Sequence, residues 1–128
     1  MTLLRVEAGF VSTEPALVDF YAEVFELTKL EPAAFPVGTL HKLEGLTGTI
    51  KVMVPADPPA PAAYTGPFTG MVGLRYLTLR VDDLDAVIER ATARGATVLT
   101  GPLELRPGVR IAVLNDPEGN TIEVGEPG

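Results

Sequence analysis

Apolar positions along this chain fall into two rhythms, and the whole pattern occurs twice. Val6-Glu7-Ala8-Gly9-Phe10-Val11 alternates as a half-buried strand does and runs into Leu17, Val18, Tyr21, Val24 and Phe25 at helical spacing. A shift of 70 residues lays that first segment over Tyr76-Leu77-Thr78-Leu79-Arg80-Val81, which leads into a second helical stripe of Leu84, Val87, Ile88 and Ala91. Towards the end of each copy, Thr49-Ile50-Lys51-Val52 lies over Thr121-Ile122-Glu123-Val124 at a shift of 72, as expected if the loops differ by two residues. Thr39-Leu40-His41-Lys42-Leu43 adds an alternating strand to the first copy. Each unit reads strand, helix, then two or three strands, with a first module over about 3–54 and a second over about 73–125.

Local signals set the ends of these elements. In the first unit Ser12 or Thr13 is the expected cap, with Pro15 in the first helical turn. In the second, Asp82 or Asp83 caps, and Arg94-Gly95 supplies a basic last turn followed by a terminating glycine. The segment over about 55–70 is rich in proline, which removes backbone donors and favours extended chain, so it reads as a linker. A lid carrying Tyr64 or Phe68 over a pocket is the functional alternative.

The stretch Asp116-Pro117-Glu118-Gly119-Asn120-Thr121-Ile122-Glu123-Val124 joins a tight turn to a strand that carries a carboxylate. It resembles the closing strand of the glyoxalase/bleomycin-resistance/extradiol-dioxygenase group, the vicinal oxygen chelate superfamily. The resemblance covers nearly the whole chain. It implies an α+β fold in which two βαβββ modules form a cup-shaped mixed sheet, a ligand inside the cup, and a homodimer. In metal-binding members of that family the ligands come from the first and last strands of both units. Carried over residue by residue, those positions hold Val6, Lys51, Tyr76 and Glu123. Of these only Glu123 is a good divalent-metal ligand; Val6 has no donor atom, and Lys51 sets an ammonium where a cation should bind. No metal or other cofactor is therefore expected.

The same repeat symmetry implies that Lys51 and Glu123 face each other across the cup floor with Tyr76 beside them. Three readings stay open, one of them being that Lys51 points outward and the alignment of the two copies is off by one residue. In another, the pair simply neutralises two buried charges. In the third, Tyr76, Lys51 and Glu123 are catalytic: the ammonium orients an oxygen-rich ligand or lowers the Tyr76 pKa, with Glu123 as base or acceptor. The single histidine, His41, reads as a partly exposed strand residue; its rival role is in a metal set with Glu7 and Glu123, but Glu7 has the opposite parity to Val6 and should point away from the cup. Arg110 could clamp a ligand carboxylate, while Arg75 and Arg80 read as strand surface charges. Ligand-binding candidates are thus Phe10, Tyr21, His41, Tyr64 and Arg110, with Phe35 and Phe68 adding aromatic lining.

Composition narrows the classes. The length of 128 residues and 46% hydrophobic content suit one compact domain. A formal net charge of −7 argues against nucleic acid and favours solubility or a cationic ligand. Without cysteine there is no disulfide, thiolate metal site or cysteine nucleophile. No secretory signal or membrane-length apolar run appears, so a cytoplasmic protein without a membrane partner is expected. Phosphate-cradling glycine loops, zinc-helix motifs and catalytic serine arrangements are missing as well. The first function class is a metal-free protein holding a small organic molecule, as the bleomycin-resistance branch does. The second is an enzyme, either a metal-independent isomerase, lyase or cyclase using Tyr76, Lys51 and Glu123, or a metal-dependent glyoxalase or dioxygenase. The third is an interaction module without a ligand.

Overall fold

The computed structural model describes residues 2–62 and 65–127, and the chain separates into two compact units, Met1–Pro61 and Ala62–Gly128. The first contains β1 (Ala8–Val11), α1 (Ala16–Val24), β2 (Thr28–Lys29), β3 (Ala33–Phe35), β4 (Gly38–Glu44) and β5 (Thr49–Pro55). Its sheet order is β1-β5-β4-β2, with β3 also pairing β4. The second contains β6 (Tyr76–Arg80), α2 (Leu84–Ala93), β7 (Thr97–Arg106), β8 (Val109–Asn115) and β9 (Thr121–Pro127), in the order β6-β9-β8-β7. Each unit is the expected α+β arrangement: a mixed sheet whose first strand lies parallel to its last. The edge strand of the first unit is broken into β2 and β3 around Pro32, which has no N–H to offer a ladder.

Each helix covers one face of its sheet. In the first unit Tyr21 of α1 is fully buried; its ring stacks on Phe10 of β1 at 4.9 Å and on Phe25 at 5.9 Å, with Phe20 edge-on at 5.0 Å. Such pairs add packing energy beyond the area they bury. Leu43, Ile50 and Val52 are buried too, and they share the face of Phe10 by register. In the second unit α2 buries Leu84, Val87 and Ala91, and the sheet residues Ala112, Leu114, Ile122 and Val124 are all fully buried.

Local chemistry accounts for the ends. Asp83 caps α2 by accepting from the Ala86 N–H at 3.1 Å, and Gly95 follows in the left-handed region at φ +95°. The first helix departs from expectation: Pro15 occupies its N-cap with no side-chain cap. Ser12 instead donates to the Glu14 carbonyl and accepts from the Glu14 N–H, a local turn that competes with capping. Before β9, Asp116 organises the hairpin. Its Oδ1 accepts from the N–H groups of Glu118 and Asn120, and its Oδ2 from the Asn120 side chain, all within 2.9–3.0 Å.

Strand register corrects the alignment of the two copies by one residue. Gly9 lies beside Lys51 in the first unit and Thr78 beside Glu123 in the second. The initial strands therefore superpose at a shift of 69, not 70, and Glu7 rather than Val6 corresponds to Tyr76. The physical reason is the helix-facing alternation, since Ala8 and Phe10 match Leu77 and Leu79. Val6 precedes β1 and is 72% exposed.

The turn into β4 carries a steric requirement that yields a prediction. Gly38 has φ +151°, and a Cβ there would sit 2.3 Å from the Val54 carbonyl oxygen and 2.6 Å from Pro55 Cα, both backbone atoms. Gly38→Ala is expected to lose about 2 kcal/mol or more in denaturant unfolding. Gly48→Ala, where a Cβ meets nothing within 4 Å, should stay within about 0.5 kcal/mol of the parent. Equal midpoints for the two variants would refute this geometry.

Candidate functional site

The helix-free face of each sheet carries the residues that have chemistry to offer. In the first unit, register places Gly9 and Lys51 on that face, together with Lys42 opposite Lys51, and Glu7 shares it two residues before Gly9. Parity counted from Val6 sends Glu7 outward; the true pairing brings it onto the Lys51 face. The Glu7 carboxylate meets the Lys51 ammonium at 2.6 Å and the Arg5 Nε at 3.1 Å. Arg5 also donates to the Thr49 hydroxyl, which holds the segment before β1 against β5. The hydrogen bond from Lys51 keeps the Glu7 carboxyl below its ordinary value, against a smaller opposing cost of desolvation; the charges of Lys51, Arg5 and Lys42 pull the same way as the bond.

In the second unit the corresponding face carries Tyr76, Thr78 and Arg80 of β6 and Glu123 of β9. The Thr78 hydroxyl donates to Glu123 Oε1 at 3.0 Å. Arg80 lies over Gly125, where a Cβ would come within 2.9 Å of its guanidinium. The Tyr76 ring is half exposed and meets Phe68 edge-on at 5.5 Å. Beside them opens a groove of about 580 Å³, walled by Phe68, Thr69, Met71, Gly73, Leu74, Arg75 and Tyr76.

Several sequence-derived assignments change here. Within the first unit Lys51 pairs with Glu7, and within the second Thr78 donates to Glu123. Phe10 and Tyr21 stack on each other between helix and sheet, so they are packing residues rather than ligand lining. His41 is opposite Val52 in the ladder, hence on the helix face, away from Glu7; that separates the proposed Glu7–His41–Glu123 set. Arg110 is already clamped by Asp85 of α2 at 3.0 Å and Glu126 of β9 at 3.2 Å, on the helix side of its sheet. It fastens helix to sheet, and the hydrogen bond from Arg110 holds Asp85 below its ordinary value. Tyr64 lies outside the described residues. Phe35 is half exposed on β3.

The first- and last-strand positions that carry metal ligands in some relatives of this fold are therefore Glu7, Lys51, Tyr76 and Glu123. They do not fit a divalent ion. Lys51 has no lone pair to give while charged and takes up the Glu7 carboxylate, and a neutral tyrosine is a poor ligand. Among the described residues no three His, Asp or Glu side chains gather to hold a metal.

The geometry has counterparts elsewhere. A profile of the Glyoxalase/Bleomycin resistance protein/Dioxygenase superfamily matches residues 9–124. The chain belongs to that superfamily. Its fold is that of a glyoxalase family protein from Bacillus cereus, with a TM-score of 0.85 at 19% identity over 99% of this chain and 96% of the other. TnmS3, an antibiotic binding protein from Streptomyces, is 27% identical with a TM-score of 0.66, covering 100% of this chain and 99% of that one. An uncharacterized protein of Mycobacterium bovis is 30% identical over 132 aligned positions, 91% of this chain and 86% of its own. Among the described residues of this chain no helix is long and apolar enough to cross a membrane.

The Glu7 pair gives a pH prediction. A carboxyl whose folded-state pKa is lowered contributes stability that is fully present above its unfolded value of 4.5 and is lost as the pH falls through the lowered one. The stability gap between parent and Glu7→Gln should thus be largest near neutral pH and close between about pH 5 and pH 3. Paired denaturant curves across that range would read it. A gap that does not change with pH would show that Glu7 is free of Lys51 in solution.

Proposed function

We propose that this superfamily member binds a small, largely aromatic organic molecule on the helix-free face of its second unit, without a metal. The observation that carries the reading is the groove itself. Its volume of about 580 Å³ falls within the roughly 300–1,000 Å³ of small-molecule sites. The residues leading into β6 expose apolar surface that folding leaves uncovered in the chain: Met71 is 47% exposed, Val72 91%, Leu74 85% and Tyr76 49%. Contiguous exposed apolar surface of this kind marks a binding site more often than a solvated face. Tyr76 and Phe68 supply two ring faces at an angle, a geometry suited to stacking on a planar ligand.

Antibiotic binding by TnmS3, alike over its full length, supports this reading. The poor fit of Glu7, Lys51, Tyr76 and Glu123 to a metal weighs against the metal-dependent form of an enzyme. The same reading has the protein act as a homodimer, as the family resemblance implies, and in the cytoplasm.

A thermal-shift screen of planar aromatic antibiotics tests it. A compound that binds the folded protein at 100 times its dissociation constant adds about 2.7 kcal/mol of stability. That gain should vanish in Tyr76→Ala, whose unliganded melting temperature should change little because the ring is half exposed. Retention of the full shift in Tyr76→Ala would contradict the site, and product formed beyond one equivalent would make the protein an enzyme instead.

A further inference from the structure

Arg75 stands in the wall of this groove, and among the described residues it is the one charged residue there. Its position is built rather than incidental. Gly73, in the left-handed region at φ +119°, lets the loop pass so close that a Cβ would lie 3.3 Å from the guanidinium Nη2. Nη1 donates to the Met71 thioether at 3.7 Å, a weak acceptor for a cation. The Nε–H is shut off from solvent with no hydrogen-bond partner, the only buried side-chain polar atom so placed among the described residues. A donor withdrawn from water without an acceptor is rare in folded proteins and calls for an explanation. A guanidinium edge offers parallel N–H groups that match a carboxylate or sulfonate.

We propose that the Arg75 guanidinium is reserved for an anionic oxygen of the ligand, so that the molecule bound is an aromatic acid rather than a cation. This rests on the groove being a small-molecule site. With the flexible methionine moved aside, the acid's oxygens accept from the orphaned Nε–H and the adjacent Nη group, and the rings of the ligand lie against Tyr76 and Phe68. The net charge of −7 for the whole chain points towards cationic partners, but the groove's own charge is positive. At contact distance the local charge decides, since distant exposed charges are screened within about 8–10 Å.

Two fluorescent probes of one ring frame separate the cases: anilinonaphthalene sulfonate, which is anionic, and the neutral amine N-phenylnaphthylamine. The parent protein should bind the sulfonate at least about tenfold more tightly than the amine, as a charge-assisted hydrogen bond allows. Arg75→Met should erase that preference, while Tyr76→Ala should weaken binding of both probes. Equal affinities in the parent, or a preference that survives Arg75→Met, would overturn the acid assignment and leave the small-molecule reading standing. If neither probe binds the parent, the groove reading itself falls. Should Arg75→Met fail to fold, the parent alone decides: sulfonate binding that weakens with added salt while amine binding does not supports the assignment, and salt-independent sulfonate binding overturns it.

Discussion

Everything chemical in this molecule depends on one backbone pairing, the parallel ladder between the first and last strands of each unit. A parallel pair needs a crossover, and α1 and α2 supply it, each covering one face of its sheet and leaving the other bare. The ladder brings Gly9 beside Lys51 and Thr78 beside Glu123, residues more than forty positions apart in the chain. Side chains alternate along a strand, so a slip of one residue would exchange the bare face for the covered one throughout. Glu7 could not then reach Lys51, and Tyr76 would enter the core beneath α2.

Much of the fold was legible in the chain because its signals are local. The helical stripes of Leu17, Val18, Tyr21 and Val24, and of Leu84, Val87 and Ala91, are the buried residues of α1 and α2. Asp83 and Gly95 bound the second helix as their types suggest. The register between copies was harder. Val6 and Tyr76 begin apolar-looking segments of similar texture, and only the ladder shows that Ala8 and Phe10, not Glu7 and Gly9, match Leu77 and Leu79. That single residue decides which side of the sheet Glu7 occupies.

The site was less legible, for physical reasons. Aromatic residues at helical spacing serve a core as well as a pocket, and Tyr21 and Phe10 went to the core. A lone arginine in a strand leader reads as a solvated charge. What sets Arg75 apart is the path of the loop at Gly73 and the loss of solvent at one nitrogen, neither of which has a signature in residue order. Arg110 shows the converse: a plausible clamp for a ligand, it is spent on Asp85 and Glu126, where it ties helix to sheet. Net charge likewise describes the chain's solubility rather than its site, since the groove wall is positive on an acidic protein.

The central claim is that ligand chemistry belongs to the bare face of the second unit. Backbone amide chemical-shift mapping of the labelled protein, titrated with a bound aromatic compound, tests it most directly. The account predicts that the largest shifts fall on residues 68–76 and on the neighbouring strands at Thr78 and Glu123, with α1 and the Phe10–Tyr21 stack undisturbed. Shifts centred instead on Phe10, Tyr21 and His41 would contradict it.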